Sequence, residues 1–130
     1  CLVVVHENVS RVDFLGRVSN AAELYHRCRV AVLSTHYEGL PLVLVDYMAA
    51  GCAAIGSDAP GVNDIIEPGV NGWRFPRGDD VALARALQEA LAGGPAVEAM
   101  VARGQADAPG RFSLDRMLAR YEDLFTELLK

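Results

Sequence analysis

Two carboxylates stand eight positions apart in this sequence, Glu38 and Asp46, with Gly39, Leu40 and Pro41 between the first of them and an apolar stretch that carries the second. The run Val30-Ala31-Val32-Leu33 reads as a strand, and residues 41–50 read as a helix with proline in the first turn and Gly51 at the stop. In an open parallel sheet, ligands bind beyond the carboxyl ends of the strands, which is where the loop 34–40 falls. The first N–H groups of a helix lack intrahelical partners and favour an anion such as a phosphate. Gly39 has no Cβ, so the main chain there can come close to a ligand. The helix is apolar nearly all round, which predicts burial. Asp46 is its only charge, so its carboxylate needs a hydrogen-bonding partner in a neighbouring loop or a cleft to face. The chemistry offered is recognition of a polar, anionic ligand by two acids and a helix start.

The surrounding chain alternates short apolar runs with helical patterns, the mark of a parallel α/β sheet. Residues 12–15 read as a strand stopped by Gly16, and residues 20–28 as a helix with Ser19 or Asn20 as N-cap. The run 30–33 is expected to be a central strand buried on both faces. Residues 52–56 form the next strand, residues 61–66 a short helix, residues 68–72 a turn, and Trp73-Arg74-Phe75 a last short strand. Asp79 or Asp80 caps a helix with an apolar stripe of Val81, Ala84, Leu87 and Leu91, which Gly93-Gly94-Pro95 ends. Residues 96–106 form another helix, broken by Pro109-Gly110. Ser113 caps a final amphipathic helix with Leu114, Met117, Leu118, Tyr121, Leu124, Phe125 and Leu128 at three-and-four spacing. Residues 2–5 look like a strand, but residues 6–10 are too few for a parallel crossover, which takes about a dozen. Either this piece is not a parallel neighbour of the next strand or it is the remnant of something longer.

Composition narrows the partners. The chain has 130 residues, 52% of them apolar, which suits one domain with a real core. Its net charge is -5, and the 11 arginines are spread along it without a basic stripe, so nucleic acid is excluded as a partner. Cys1, Cys28 and Cys52 form no C-x-x-C pair and no zinc spacing, and read as free thiols in a reducing compartment. No uncharged run approaches the ~20 residues of a membrane helix and no signal-peptide pattern is present, so a cytoplasmic chain is expected. The abrupt opening at Cys1 suggests a piece of a longer protein, a single partial domain over residues 1–130.

The ordered motifs resemble a known family. Glu38-Gly39-Leu40-Pro41, an acid eight positions after the first, and Met48-Ala49-Ala50-Gly51 look like the signature of the retaining glycosyltransferases of family 4, in their C-terminal, donor-binding domain. Residues 12–18 before this segment, and Pro60-Gly61-Val62-Asn63-Asp64-Ile65-Ile66 and Gly69-Val70-Asn71-Gly72 after it, match in order. The resemblance runs from about Val12 to Lys130. It implies a Rossmann-like parallel sheet with flanking helices, the C-terminal half of a GT-B fold truncated at its start, with a helical tail. The implied function is to bind a nucleotide-diphosphate sugar for transfer to an acceptor with retention, in polysaccharide or glycolipid biosynthesis.

The resemblance also implies roles. Glu38 would sit beside the donor sugar as the catalytic-site acid. The main chain of Gly39, Leu40, Pro41 and Leu42 would approach the sugar and diphosphate, although Pro41 has no N–H to give. Asp46 would bind the ribose hydroxyls, and Gly16, Arg17 and Val18 would contact the nucleobase. No metal or other cofactor is implied, the nucleotide sugar being a substrate. A separate N-terminal domain would carry the acceptor site, the full protein could associate peripherally with a membrane, and the isolated piece would be inactive and prone to self-association through an open sheet edge. Two positions depart from the family pattern: Asp46 and Asp64 stand where Glu is usual, and Asp46 gives up one methylene of reach. The alternative function is a non-catalytic binding or interaction domain on the same fold. His6, His26, His36 and Asp58 have no assigned role, and Trp73 is expected in the core.

Overall fold

A computed structural model describes residues 12–130 and the backbone of residues 3–5. Cys1, His6 and the first residue of the expected 2–5 strand lie outside the described residues. Strands β1 (Val3–Val5) and β2 (Val12–Phe14) pair antiparallel in a two-stranded sheet of their own, with Val4 opposite Asp13. The first piece is therefore not a parallel neighbour of the second, and the short connection between them is no longer an obstacle.

Among the described residues the parallel sheet has three strands, in the order β3 (Val30–Leu33), β4 (Ala53–Ser57), β5 (Trp73–Phe75). The central strand is β4, buried along its whole length, while β3 is an edge strand, half-buried throughout. This corrects the expectation for residues 30–33. Apolar content reports that a strand is covered, but its place in the sheet is decided by pairing partners distant in sequence.

Alternation along β4 builds two cores. Ala54 joins Leu44, Tyr47, Met48, Cys52, Val62, Ile65, Ile66 and Ala108 on one face. Ala53 and Ile55 join Trp73, Phe75, Ala86 and Ala90 on the other. Helices α1 (Ala21–Tyr25) and α2 (Leu42–Ala49) serve the first core and α3 (Asp80–Ala92) the second, while α4 (Pro95–Phe112) serves both, Ala108 and Phe112 the first and Val97, Met100 and Val101 the second. The result is a parallel sheet flanked by helices, as expected. Trp73 is buried, its indole N–H donating to Glu89 at 3.2 Å.

Several boundaries differ from expectation. Helix α1 is short, and Asn20 makes no side-chain cap; its amide donates to Glu23 at 2.7 Å instead. Residues 61–66 form turns rather than a helix, closed by Ile65 N–H to Val62 O at 3.0 Å and Ile66 N–H to the same oxygen at 2.9 Å. Asp79 caps α3 through Ala82 N–H at 2.8 Å. The buried face of α3 is Ala86 and Ala90 with Ala82, Leu83 and Leu87 beside them, while Val81 and Leu91 are exposed. Small alanines let the helix lie close on Trp73 and Phe75, a fit that periodicity alone does not choose.

Pro109 does not break the chain: α4 runs through it to Phe112. The lost N–H and the ring clash are offset by tertiary anchors on both sides. Ala108 is 1% exposed, Arg111 donates to Asp64 O at 2.7 Å, and Phe112 packs against the first core. Ser113 then caps α5 (Leu114–Leu128), accepting from Arg116 N–H at 3.3 Å. The amphipathic pattern of α5 holds, but its apolar residues are all exposed.

Candidate functional site

The carboxyl ends of the three parallel strands carry three connections: residues 34–41 after β3, residues 58–72 after β4 and residues 76–79 after β5. They meet around Glu38. Ser57, the last residue of β4, donates its hydroxyl to Thr35 O at 2.6 Å and accepts from Thr35 N–H at 2.9 Å. The Thr35 hydroxyl donates to Tyr37 O at 3.1 Å. From the turn after β5, Arg77 donates to His36 O at 3.2 Å. From the connection after β4, Gly61 lies against the carbonyls of Glu38 and Gly39 so closely that a Cβ there would collide with both.

Glu38 itself is half-buried at the crest of this loop, followed by exposed Gly39 and Leu40 and buried Pro41. Pro41 is the N-cap of α2, and the first bond of the helix runs from Leu44 N–H to Pro41 O at 2.9 Å. The N–H groups of Leu42 and Val43 precede that bond, at the open end expected to favour an anion.

Helix α2 is not buried all round. Leu44, Tyr47 and Met48 face the core, while Leu42, Asp46 and Ala49, spaced by one turn and then another, form an exposed stripe. Asp46 therefore faces outward on the same side of the helix as Leu42, and the expectation that the helix is buried nearly all round is corrected. Leu40 and Leu42 line one wall of an open groove of about 1020 Å³ whose other wall is α5, with Met117, Tyr121 and Leu124. Gly16 and Arg17 are exposed and Val18 half-buried on the loop from β2 to α1; Gly16 has a φ of 62° and open space around it.

Electrostatics separates the site from the groups beneath it. Burial pushes the Tyr47 phenol up to about 12, with smaller contributions from Tyr25, the two cysteines and Asp46. Burial and the nearby Cys28 push the Cys52 thiol up to about 11. Cys52 donates to the carbonyls of Tyr25 at 3.1 Å and Cys28 at 3.3 Å. A protonated, hydrogen-bonded thiol is no nucleophile, so Cys52 is a structural thiol; neither it nor Cys28 is in a disulfide. Among the described residues, no three His, Cys, Asp or Glu side chains converge as a metal ligand set would. Asp58 holds Asn63 at 2.7 Å and faces Arg74 at 3.8 Å, and Asp64 is exposed.

The geometry thus places a glutamate, a glycine and a helix start on one loop at the carboxyl end of a parallel sheet. A family model for glycosyl transferases group 1 matches residues 4–107. The chain belongs to this family. It is 28% identical over 120 residues to N-acetyl-alpha-D-glucosaminyl L-malate synthase of Bacillus anthracis, covering 92% of this chain and 32% of that protein. It is 37% identical over 82 residues to an alpha-1,4-N-acetyl-D-galactosaminyltransferase of Campylobacter jejuni named for a diNAcBac-PP-undecaprenol-linked acceptor, covering 62% of this chain and 23% of that protein. Among solved structures, that of Anabaena HepE in complex with UDP-glucose superposes with a TM-score of 0.81 at 22% identity, over 88% of this chain and 32% of that one. This group 1 domain thus spans about a third or less of each of these proteins. Among its described residues, no helix is long and apolar enough to cross a membrane.

No local pattern in the sequence marks Arg77 as a neighbour of the Glu38 loop; Ser57, a hydroxyl closing an otherwise apolar strand at its carboxyl end, carries the one signal.

Proposed function

We propose that this group 1 domain is the donor-binding half of a retaining glycosyltransferase of family 4, a hexosyltransferase that takes a nucleotide-diphosphate sugar. The observation that carries the reading is the loop from Ser34 to Leu42, which sets Glu38, Gly39 and the start of α2 side by side at the carboxyl end of the sheet. In this reading Glu38 accepts hydrogen bonds from the sugar hydroxyls. The main chain of Gly39, Leu40 and Leu42 faces the diphosphate, Asp46 takes the ribose hydroxyls, and Gly16, Arg17 and Val18 border the nucleobase. The exposed Leu42–Asp46 stripe supports it, since both residues are open to a ligand on one side of α2.

Charge on the departing diphosphate would be met by helix-start N–H groups and basic side chains, with no metal or other cofactor. Displacement would pass through an oxocarbenium-like state on one face of the sugar. A further N-terminal domain would carry the acceptor, so the isolated chain would be inactive. HepE, a structural neighbour, binds UDP-glucose, which makes a uridine diphosphate sugar the first donor to try. The undecaprenol-linked acceptor of the C. jejuni relative supports a glycolipid acceptor, with the whole protein cytoplasmic and peripheral to the membrane.

Titration calorimetry of the full protein with UDP-, GDP- and ADP-sugars tests the reading. Binding of one class with a dissociation constant in the micromolar to millimolar range is expected, and failure of all three sinks it.

A further inference from the structure

Three consecutive carbonyls lead up to Glu38, and each is held by a different side chain. Ser57 holds Thr35 O, Arg77 holds His36 O, and the Thr35 hydroxyl holds Tyr37 O. We infer that Ser57 and Arg77 are positioning residues that preset the loop carrying Glu38 for the sugar of the donor. The inference rests on the donor-site reading above.

Ser57 is 1% exposed. The last main-chain partners of β3 and β4 are Leu33 and Gly56, after which the strands part. One hydroxyl then serves both main-chain groups of Thr35, accepting at 2.9 Å and donating at 2.6 Å, and so carries the pairing past the end of the ladder. Losing it would leave a part-buried N–H and C=O without their partner, a costly state that the loop would escape by moving. Arg77 works from a second element, the turn after β5. It is exposed there and spans 41 residues of sequence to reach His36 O. Together they hold Thr35 and His36, the stretch leading into Glu38, while Gly61 closes beneath the loop, so its order does not have to be acquired when ligand arrives.

In that reading Glu38 faces the sugar and directly follows the held carbonyls, the base and ribose contacts belong to residues 16–18 and Asp46 away from this loop, and the diphosphate meets the loop only further on, at the main chain of Gly39, Leu40 and Leu42. A positioning role therefore affects the sugar more than the nucleotide. A merely structural role lowers stability and affects both ligands alike. The readout is the ratio of the dissociation constant of a free nucleoside diphosphate to that of the matching nucleotide sugar. It is measured by calorimetry on the full protein, well below its unfolding temperature, with UDP-, GDP- and ADP-sugars and their free diphosphates.

The substitution R77A, which removes one hydrogen bond, is expected to lower that ratio about five- to tenfold, and S57A, which removes two, by at least about as much. S57T keeps the hydroxyl and is expected to keep the ratio. Arg77 is exposed, so R77A tests the inference even if S57A does not fold. An unchanged ratio in R77A, or equal weakening of both ligands, overturns it. A wild-type protein that binds the diphosphates but gains nothing from any sugar overturns instead the donor reading on which the inference stands.

Discussion

Gly61 packs its Cα directly beneath the main chain of Gly39, at a φ of 82°, and a Cβ added there would fall 2.6 Å from the carbonyl oxygen of Glu38 and closer still to that of Gly39. The turn after β4 is thus the floor on which the Glu38 loop rests. Gly61→Ala meets two penalties at once, a left-handed backbone and a collision with carbonyls that cannot swing aside. Stability is expected to fall by about 1–3 kcal/mol, read by urea unfolding, together with at least a tenfold loss of donor affinity. A variant of wild-type stability and affinity would show that the turn does not support the loop.

Glu38→Gln keeps the size of the side chain and removes its charge. If the carboxylate accepts hydrogen bonds from the sugar, kcat/KM of the full protein is expected to drop about 10- to 100-fold with little change in the affinity for free nucleotide. Equal weakening toward both would place Glu38 away from the sugar.

Asp46 is exposed beside Leu42, so lengthening it meets no wall. Asp46→Glu restores the methylene usual in the family and is expected to tighten nucleotide binding several-fold, while Asp46→Ala is expected to weaken it about tenfold. Calorimetry with the free nucleoside diphosphate reads both, and an insensitive Asp46→Ala would take the ribose role away from this residue.

Alkaline pH is expected to destabilise the fold in a defined window. Cys52 is raised from 9.0 to about 11 and Tyr47 from 10.0 to about 12, both mainly by burial. Above pH 9 the unfolded chain gives up protons that the folded chain keeps, so stability is full below pH 9 and is lost progressively to about pH 12. The loss is of order 2 kcal/mol for each group. Urea midpoints from pH 8 upward check it, and Cys52→Ala is expected to remove the earlier part of the decline.

Pro109 sits inside α4, where it leaves the carbonyl four residues back without its helical N–H donor. Pro109→Ala is expected to stabilise the domain by about 1 kcal/mol or more, seen as a melting temperature higher by several degrees. A lower melting temperature would mean that the proline sets a bend which the anchors Ala108 and Arg111 require.

Much of the site could be read locally. Glu38, Gly39 and Pro41 announce a ligand loop running into a helix because strand, glycine and helix start are adjacent in sequence. The caps Asp79 and Ser113 were legible for the same reason: each bonds an N–H three residues away. So was α5, whose three-and-four pattern needs no partner to be recognised. What sequence by itself determined is therefore the class of sheet, most of its elements, though not the turns at 61–66 or the length of α4, and the order of the motifs after its strands.

Tertiary structure decided which of these face one another. The place of β4 rather than β3 at the centre of the sheet depends on pairing across twenty or more residues. The exposure of Asp46 depends on which face of α2 meets the core, where Leu44, Tyr47 and Met48 pack, and the persistence of α4 through Pro109 depends on bonds to residues more than forty positions away. The bonds from Ser57 to Thr35 and from Arg77 to His36 join residues 22 and 41 positions apart, and no local pattern encodes them. Side-chain chemistry specifies what a residue can bond. Only the closing of the chain around a common core brings a particular carbonyl within reach, and that is why Glu38 was visible in the sequence and the groups that hold its loop were not.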